Sequence, residues 1–424
     1  MLDELFARIE DQREALVELT RELVQFPTVN PPGEAYKPCA RHLGNRLSHA
    51  GFDVSYIRAE GAVGDSERYP RINVIARYQG RGPGPCVHFN GHIDVVEAGH
   101  GWSVNPFAGA IRDGRLYGRG TCDMKGGIAA AVVALESILA AGIKFDGAIE
   151  VSGTVDEESG GYAGVAYLAE QGRFSRPQVD HVIIPEPLSV DRICLGHRGV
   201  WWAEIETLGR VAHGSMPFLG ECAIRHMGVF LNRIERHLLP RLATRQTAMP
   251  VVPPEARQST LNLNGIHGGQ AEGHGGLPSP MVADRCRTTI DRRFLIEEDL
   301  AAVKAEVVAI LDQLRHDRPN FSYRIKDVME VLPCQTDRSA PVVRAVALAI
   351  ERVMGRRPEL VCSPGTYDQK HVLRIGHLDD CIAYGPGRLE LAHQPDEYVE
   401  IDDLVSSAKV MAAAALRLLG AELH

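Results

Sequence analysis

The sequence predicts an α/β protein in which a discontinuous domain, with a mostly parallel sheet flanked by helices, is interrupted by an inserted two-layer α+β domain. Three observations carry this expectation. Apolar, β-prone runs alternate with helical stretches over residues 52–187, the pattern of a sheet with helices on both faces. From about residue 199 to residue 331 the order changes to strand, helix, strand, strand, helix, strand. His393, in the returning part, carries chemistry that matches residues of the first part, so the two parts must meet. A chain of 424 residues is also too long for one ordinary core. The expected boundaries are 1–198 and 332–424 for the discontinuous domain and 199–331 for the insert.

Taken in order, residues 3–26 place Leu5, Ile9, Leu16, Leu19 and Val24 close to a helical period and predict one surface helix. TVNPPGE stops it, because consecutive prolines cannot continue a helix. A second helix is expected over 37–50, ended by Gly51. Strands follow in FDVSYIR, INVIARYQ and CVHFNGHIDVV; the last begins almost continuously apolar, as a strand buried on both faces does. AIRDGRLYGRG reads as a hairpin leading to Asp123, and the alanine-rich stretch 126–141 as an internal helix that packs closely. The strand GAIEVSGTV, a helix over 163–171 and the strand HVIIPEP complete the first part. In the insert, VWWAEIETL, STLNLNGIHG, ADRCRTTIDRRFL and FSYRIKDVM are strands, and 222–240 and 297–315 are helices. Trp201 and Trp202 alternate faces, so at most one is core. HGGQAEGHGGLPSP, with His274, reads as a mobile loop. A helix over 341–354, strands near 360–362 and 381–384, and a last helix over 402–419 close the chain.

Composition narrows the function classes. Apolar residues make up 45% and charged residues 24%, as in an ordinary soluble protein. A net charge of −9 argues against a nucleic-acid partner, and no run approaches a membrane span. Nine cysteines, an odd number without a C-x-x-C pair, fit reduced thiols. The acidic, amphipathic N-terminus lacks a signal-type apolar core, so a cytoplasmic location is expected.

The chemistry concentrates at strand ends. His92 and Asp94 stand two apart on a β-prone run, so imidazole and carboxylate share a face, as in a metal-bound histidine steadied by an acid. Asp123 sits in a glycine-rich turn before a helix, Glu157 and Glu158 end an apolar strand before Ser-Gly-Gly, and Glu186 lies in PEP. Singly these are weak signs: a His-x-Asp pair is often a satisfied core pair, and Glu-Glu is more often a solvated turn. Together, His92, Glu157, Glu158 and Glu186 occupy the carboxyl ends of strands, where open α/β sheets bind ligands. With His393 in LAHQPDEYV they form the donor set of a hydrolytic metal site, and the chain reads as a metallohydrolase.

On these motifs the sequence resembles the metal-dependent amidohydrolase/peptidase family of acetylornithine deacetylase, succinyl-diaminopimelate desuccinylase, aminoacylase and glutamate carboxypeptidase. GHIDVV, GRGTCDMKGG, DEESGG, PEP, AHGSMP and AHQPDEYV stand in the family's order over essentially the whole chain. The resemblance implies that His92, Asp123 and Glu186 bind one metal and that Asp123, Glu158 and His393 bind a second, with Asp123 bridging. It further implies that Asp94 orients His92, that Glu157 is the general base beside a metal-activated hydroxide, and that the Asp123–Met124 peptide is cis. The nitrogen and oxygen donors suit two zinc ions and tolerate manganese or cobalt; ligand identity leaves single occupancy open.

By the same resemblance the insert is a lid and dimerisation domain, which makes the protein a homodimer or higher oligomer. His213 would reach the other subunit's metal site and help stabilise the oxyanion, while Asn262 and Arg293 would contact substrate. Asp291 shares a strand face with Arg293 and would hold its guanidinium; Arg292, facing the other way, is expected to be a solvated surface charge. Gly365, Thr366 and Lys370 fall in GTYDQKHV, a substrate-binding segment in which Lys370 replaces the family's arginine and so loses its planar fork. Pro280 and Ala283 stand where the family has Asn-x-x-Pro, and the loop around His274 is an addition. These departures point away from the two biosynthetic amides that name the family. The expected activity is hydrolysis of a C–N bond, foremost an amide, in a small anionic substrate such as an N-acyl amino acid. The alternatives are an aminohydrolase acting on a non-peptide, aromatic amine and, in another class, a non-catalytic dimeric metal-binding protein.

Overall fold

Three strands with no face left for water make the centre of the molecule's largest sheet. Cys86–His92, Ala148–Thr154 and His181–Ile184 are buried along their whole length. They pair in parallel, as strands buried on both faces do. In this computed structural model, which describes residues 1–270 and 279–421, the chain divides into two compact units. The first comprises Met1–Gly196, Gln335–Val361 and Tyr367–His424; the second comprises His197–Cys334 and Cys362–Thr366. The short piece Cys362–Thr366 thus falls in the second unit, although it lies beyond the expected boundary of the insert.

The first unit's sheet runs in the order Asp53–Arg58, Ile72–Gln79, Ala148–Thr154, Cys86–His92, His181–Ile184, Cys381–Ala383, Arg192–His197. Its central pairings are parallel and its flanks antiparallel, so the expected α/β class with a mostly parallel core is what forms. Helix Ile401–Leu418 packs on both Gly126–Ala140 and Pro341–Met354. Their small residues allow close approach. At Gly127 a Cβ would lie 2.0 Å from the Pro185 carbonyl oxygen, so only glycine lets this helix start against the turn that carries Glu186.

The single N-terminal helix expected from the periodicity is two helices, Leu2–Asp11 and Arg13–Val24. Gln12, with ψ of 8°, leaves the helical region between them. The break lets each piece bury its own stripe: Leu2, Leu5 and Ile9 in one, Leu16, Leu19 and Leu23 in the other.

The second unit is a four-stranded antiparallel sheet in the order Thr260–Gly268, Arg285–Phe294, Gly199–Leu208, Ser322–Val331. One face is covered by helices, and Trp201, Ile205, Phe230, Ile290 and Leu311 fill the space between. The first helix is regular only over Ala223–Arg233 and passes through a wider turn, Ile234–Leu238, into Leu239–Ala243. Pro240 explains the change, since its ring opposes the preceding turn and it has no N–H to donate. Trp201 is core, and its indole N–H donates to Asp327 Oδ1 at 2.7 Å; Trp202 is half-buried.

Arg292 corrects the expectation of a solvated charge, being 0% exposed. Strand alternation does turn it away from Arg293, but that opposite face is the one the helices cover. Its guanidinium pairs with Glu298 at 2.8 Å and donates to Ser259 Oγ at 2.9 Å. His274 and the middle of the glycine-rich segment lie outside the described residues. No described helix is long and apolar enough to cross a membrane.

Candidate metal centre

His92 is the last residue of its strand, and its imidazole meets two acids delivered by other connections. His92 Nε2 lies 3.0 Å from Asp123 Oδ1 and 3.8 Å from Glu186 Oε1. His393 Nε2 lies 3.1 Å from Glu158 Oε2 and 3.5 Å from Asp123 Oδ2. Two groups of ligand atoms result, His92–Asp123–Glu186 and Asp123–Glu158–His393, each with its atoms within 4.8 Å of one another. Asp123 belongs to both, with one oxygen turned to each.

The electrostatics fit cation binding. Burial and repulsion from Asp123 push Glu186 well above the ordinary carboxylate range, and burial chiefly pushes Glu158 up to about 7. Burial would also raise Asp123, but hydrogen bonds from His393 and His92 outweigh it and hold the group low. Hydrogen bonds to Asp123 and Glu158 raise His393 to about 10. Three acids gathered out of water repel one another unless positive charge is supplied, and the mixed imidazole and carboxylate donors are those of zinc and related divalent ions.

Around these donors lies a set of holding contacts. Asp94 is fully buried. His92 Nδ1 donates to the Asp94 backbone oxygen at 3.0 Å, while Asp94 Oδ1 stands 3.6 Å from the same nitrogen. With its proton on Nδ1, the ring presents the Nε2 lone pair to the site. The Asp94 carboxylate does more for the neighbouring turn, accepting from the backbone N–H groups of Glu157 at 3.2 Å and Glu158 at 3.1 Å. Asn30 Nδ2 donates to the same carboxylate at 3.1 Å and to Ser159 Oγ at 2.9 Å. On the other side, Glu397 Oε1 accepts from the backbone N–H groups of Gly120 and Cys122 at 2.9 Å and of Asp123 at 3.1 Å. Its second oxygen pairs with buried Arg119. The Asp123–Met124 peptide held in this loop is cis.

Glu157 stands beside Glu158 but outside both ligand groups. Its Oε1 accepts from Lys370 Nζ at 2.9 Å, with both side chains buried. Asp368, two residues before Lys370, accepts from Asn90 Nδ2 at 3.2 Å, and its other oxygen has no hydrogen-bond partner among the described residues. Burial chiefly raises its pKa, to about 7.

The remaining expected site residues belong to the second unit. His213 is exposed, and its Nδ1 accepts the Ser215 backbone N–H at 3.2 Å. A neutral His213 therefore carries its proton on Nε2 and presents a donor outward. Asn262 is exposed and stands opposite Asp291 across the strand pair. Asp291 holds Arg293 through two bonds of 2.7 and 2.9 Å, the pairing expected from their shared face. Gly365 is half-buried and its N–H donates to Ser363 Oγ at 3.2 Å; Thr366 is half-buried beside it.

Sequence reasoning left Glu397, Arg119, Asn30 and Asp368 without roles. Three of the four lie inside motifs already singled out: Arg119 in GRGTCDMKGG, Glu397 in AHQPDEYV and Asp368 in GTYDQKHV. For Arg119 and Glu397 the available sign was a charged residue four positions from a ligand, within the same motif. Asn30 carried none.

A family model described as "Peptidase family M20/M25/M40" matches residues 88–417. The succinyl-diaminopimelate desuccinylase of Stenotrophomonas maltophilia is 30% identical over 398 residues, which is 92% of this chain and 95% of that relative. Human carnosine dipeptidase 1 has a matching structure, with a TM-score of 0.79 at 19% identity over 99% of both chains. A dinuclear metal-binding peptidase of the M20 family from Bacillus subtilis matches with a TM-score of 0.69 at 15% identity, over 97% of this chain and 100% of that one.

Proposed function

We propose that this chain, which belongs to peptidase family M20/M25/M40, acts on a small anionic substrate such as an N-acyl amino acid or a dipeptide-like amide. It is a metal-dependent hydrolase of carbon–nitrogen bonds. The observation that carries the reading is the pair of ligand groups sharing Asp123, with a buried carboxylate, Glu157, adjacent to but outside both. His92, Asp123 and Glu186 would hold one divalent ion, and Asp123, Glu158 and His393 a second, zinc being the ion that best suits these donors. Bound cations of this kind polarise a carbonyl oxygen and lower the pKa of water toward ~7.

The chain's own residues do the rest. Glu157 takes the proton of the attacking water and delivers it to the leaving nitrogen. Asp94 and Asn30 fix the backbone on which Glu157 sits. Arg293, steadied by Asp291, and Asn262 on the same sheet face form a polar patch suited to an anionic substrate, and Gly365 and Thr366 would contribute further substrate contacts. In a homodimer formed through the second unit, His213 of the partner subunit would donate from Nε2 to the oxyanion. The exposed edge strand Thr260–Gly268 supports that mode of assembly. Nine cysteines without a disulfide among them support a cytoplasmic location.

The test is Glu157→Gln in metal-replete protein, assayed for released amine on a panel of N-acyl amino acids and dipeptides. Turnover is expected to fall by ~10²–10⁴-fold, the usual contribution of a general base; full turnover overturns the reading. A second reading, an aminohydrolase of a non-peptide amine, is favoured by the occupation of Lys370 by Glu157. An inert panel together with ammonia release from an aromatic amine would establish it.

A further inference from the structure

The lysine that replaces the family's arginine in GTYDQKHV points its charge at the enzyme's own base. We propose that Lys370 is a positioning residue for Glu157 and not an anchor for the substrate's carboxylate. The inference rests on the reading of Glu157 as general base given above.

Lys370 Nζ lies 2.9 Å from Glu157 Oε1, and both side chains are nearly out of solvent, at 5% and 10% exposure. A surface pair of this kind would fluctuate, but a buried pair restricts both partners because neither can turn to water. Lys370 sits at the start of the helix Gln369–Arg374, and its backbone N–H is tied to the Tyr367 carbonyl at 3.2 Å, so its stem leaves a fixed point. Asp368 adds a second buried negative group whose charge acts on Lys370. It is itself held by Asn90, two residues before His92 on the same strand face.

The residue type suits the role. Arginine offers two parallel N–H groups and grips both oxygens of a carboxylate. Lysine offers a point charge, and here it engages one oxygen and leaves the other open to a reacting proton. Arginine at this position would serve a substrate carboxylate better and a working base worse. Recognition of an anionic substrate then falls to other cations, Arg293 among them.

The test has two arms. Lys370→Met, Glu157→Gln and the double variant are compared by thermal unfolding of the metal-free protein, and the single variants by steady-state kinetics of the metal-loaded protein on the best-used N-acetyl amino acid. Non-additive changes in Tm are expected, because neighbouring paired groups couple. Lys370→Met should lower kcat by about 100-fold, the usual consequence of a displaced catalytic group, and leave KM unchanged. Additive Tm changes, or a raised KM with unchanged kcat, would overturn the proposal. Where Lys370→Met alone does not fold, folding of the double variant supports it and failure of both overturns it. Where no N-acetyl amino acid is turned over, the unfolding arm decides alone. An inactive Glu157→Gln beside a fully active Lys370→Met sinks the proposal and leaves the base in place; an active Glu157→Gln sinks the base itself.

Discussion

Each unit buries an ionic cluster, and the two are built on opposite principles. In the second unit, Arg292 and Arg245 face Glu298 and Glu306, and the Ser259 hydroxyl and the Leu295 N–H also donate to Glu298. Arg241 also reaches Glu306 at 3.1 Å, so each carboxylate of this cluster is met by more than one arginine. In the first unit, the five acids Asp123, Glu157, Glu158, Glu186 and Asp368 face three basic groups, with Lys370 on Glu157 and the imidazoles of His92 and His393 on the ligand acids. A balanced cluster joins a sheet to its helices. An unbalanced one stores repulsion that a bound cation relieves, and such groups with displaced pKa values mark working sites. Charge excess, rather than burial of charge, separates function from structure in this protein.

The strongest way to break this contrast is Glu186→Gln. Metal-loaded turnover should fall on the order of 10³-fold, from the loss of several kcal/mol of cation stabilisation, while the Tm of the metal-free protein rises. A lowered metal-free Tm would mean that the site is not over-charged. Next is Arg292→Met, which removes the buried one of the two arginines on Glu298 and leaves Arg245 as its remaining cation; it should cost about 3 kcal/mol in chemical denaturation. A loss below 1 kcal/mol would make this pair no different from a surface one.

Chelation follows: removing metal should destabilise the protein by about 2.7 kcal/mol relative to protein held at 100 times the dissociation constant. An unchanged unfolding curve would argue against a bound ion.

The smallest effect sharpens the comparison by pH. Glu158 and Glu186 have pKa values raised in the folded state, so metal-free protein loses stability as pH rises from the unfolded carboxylate value toward about 7. His393, raised to about 10, contributes stability below the ordinary histidine value that is lost as pH rises toward 10, so it acts in the same direction. Burial would raise Glu298 too, but Ser259, the Leu295 N–H and the arginines lower it, so its stability is present above about 4.5 and lost in more acid solution. The Tm of the metal-free protein should therefore climb from pH 8 to pH 5.5 and fall below pH 4. With metal bound, the first slope should reverse, because metal binding requires deprotonated ligands. A flat profile in both forms would contradict the assignment of the excess charge.

Much of this was legible in the residues themselves. The period of two in VWWAEIETL allowed at most one of Trp201 and Trp202 in the core, and the apolar start of CVHFNGHIDVV marked a strand buried on both faces. Acids and histidines at strand ends pointed to a metal-site vocabulary, and the family resemblance supplied the grouping in which the structure brings them together. The misreadings have particular causes. Alternation placed Arg292 opposite Arg293, but alternation cannot say which face a helix covers. Periodicity ran smoothly through Gln12, because two short helices bury the same apolar residues as one long one.

What the sequence determined alone was therefore local and chemical: where the strands and helices run, which faces are apolar, and which side chains have lone pairs suited to a divalent ion. Tertiary structure decided which charges meet. Lys370 lies 213 residues from Glu157, and Glu397 lies 274 residues from the Asp123 N–H it accepts. No local periodicity encodes such a pairing. It arises when burial strips both partners of water and makes the nearest opposite charge or open N–H the remaining source of compensation.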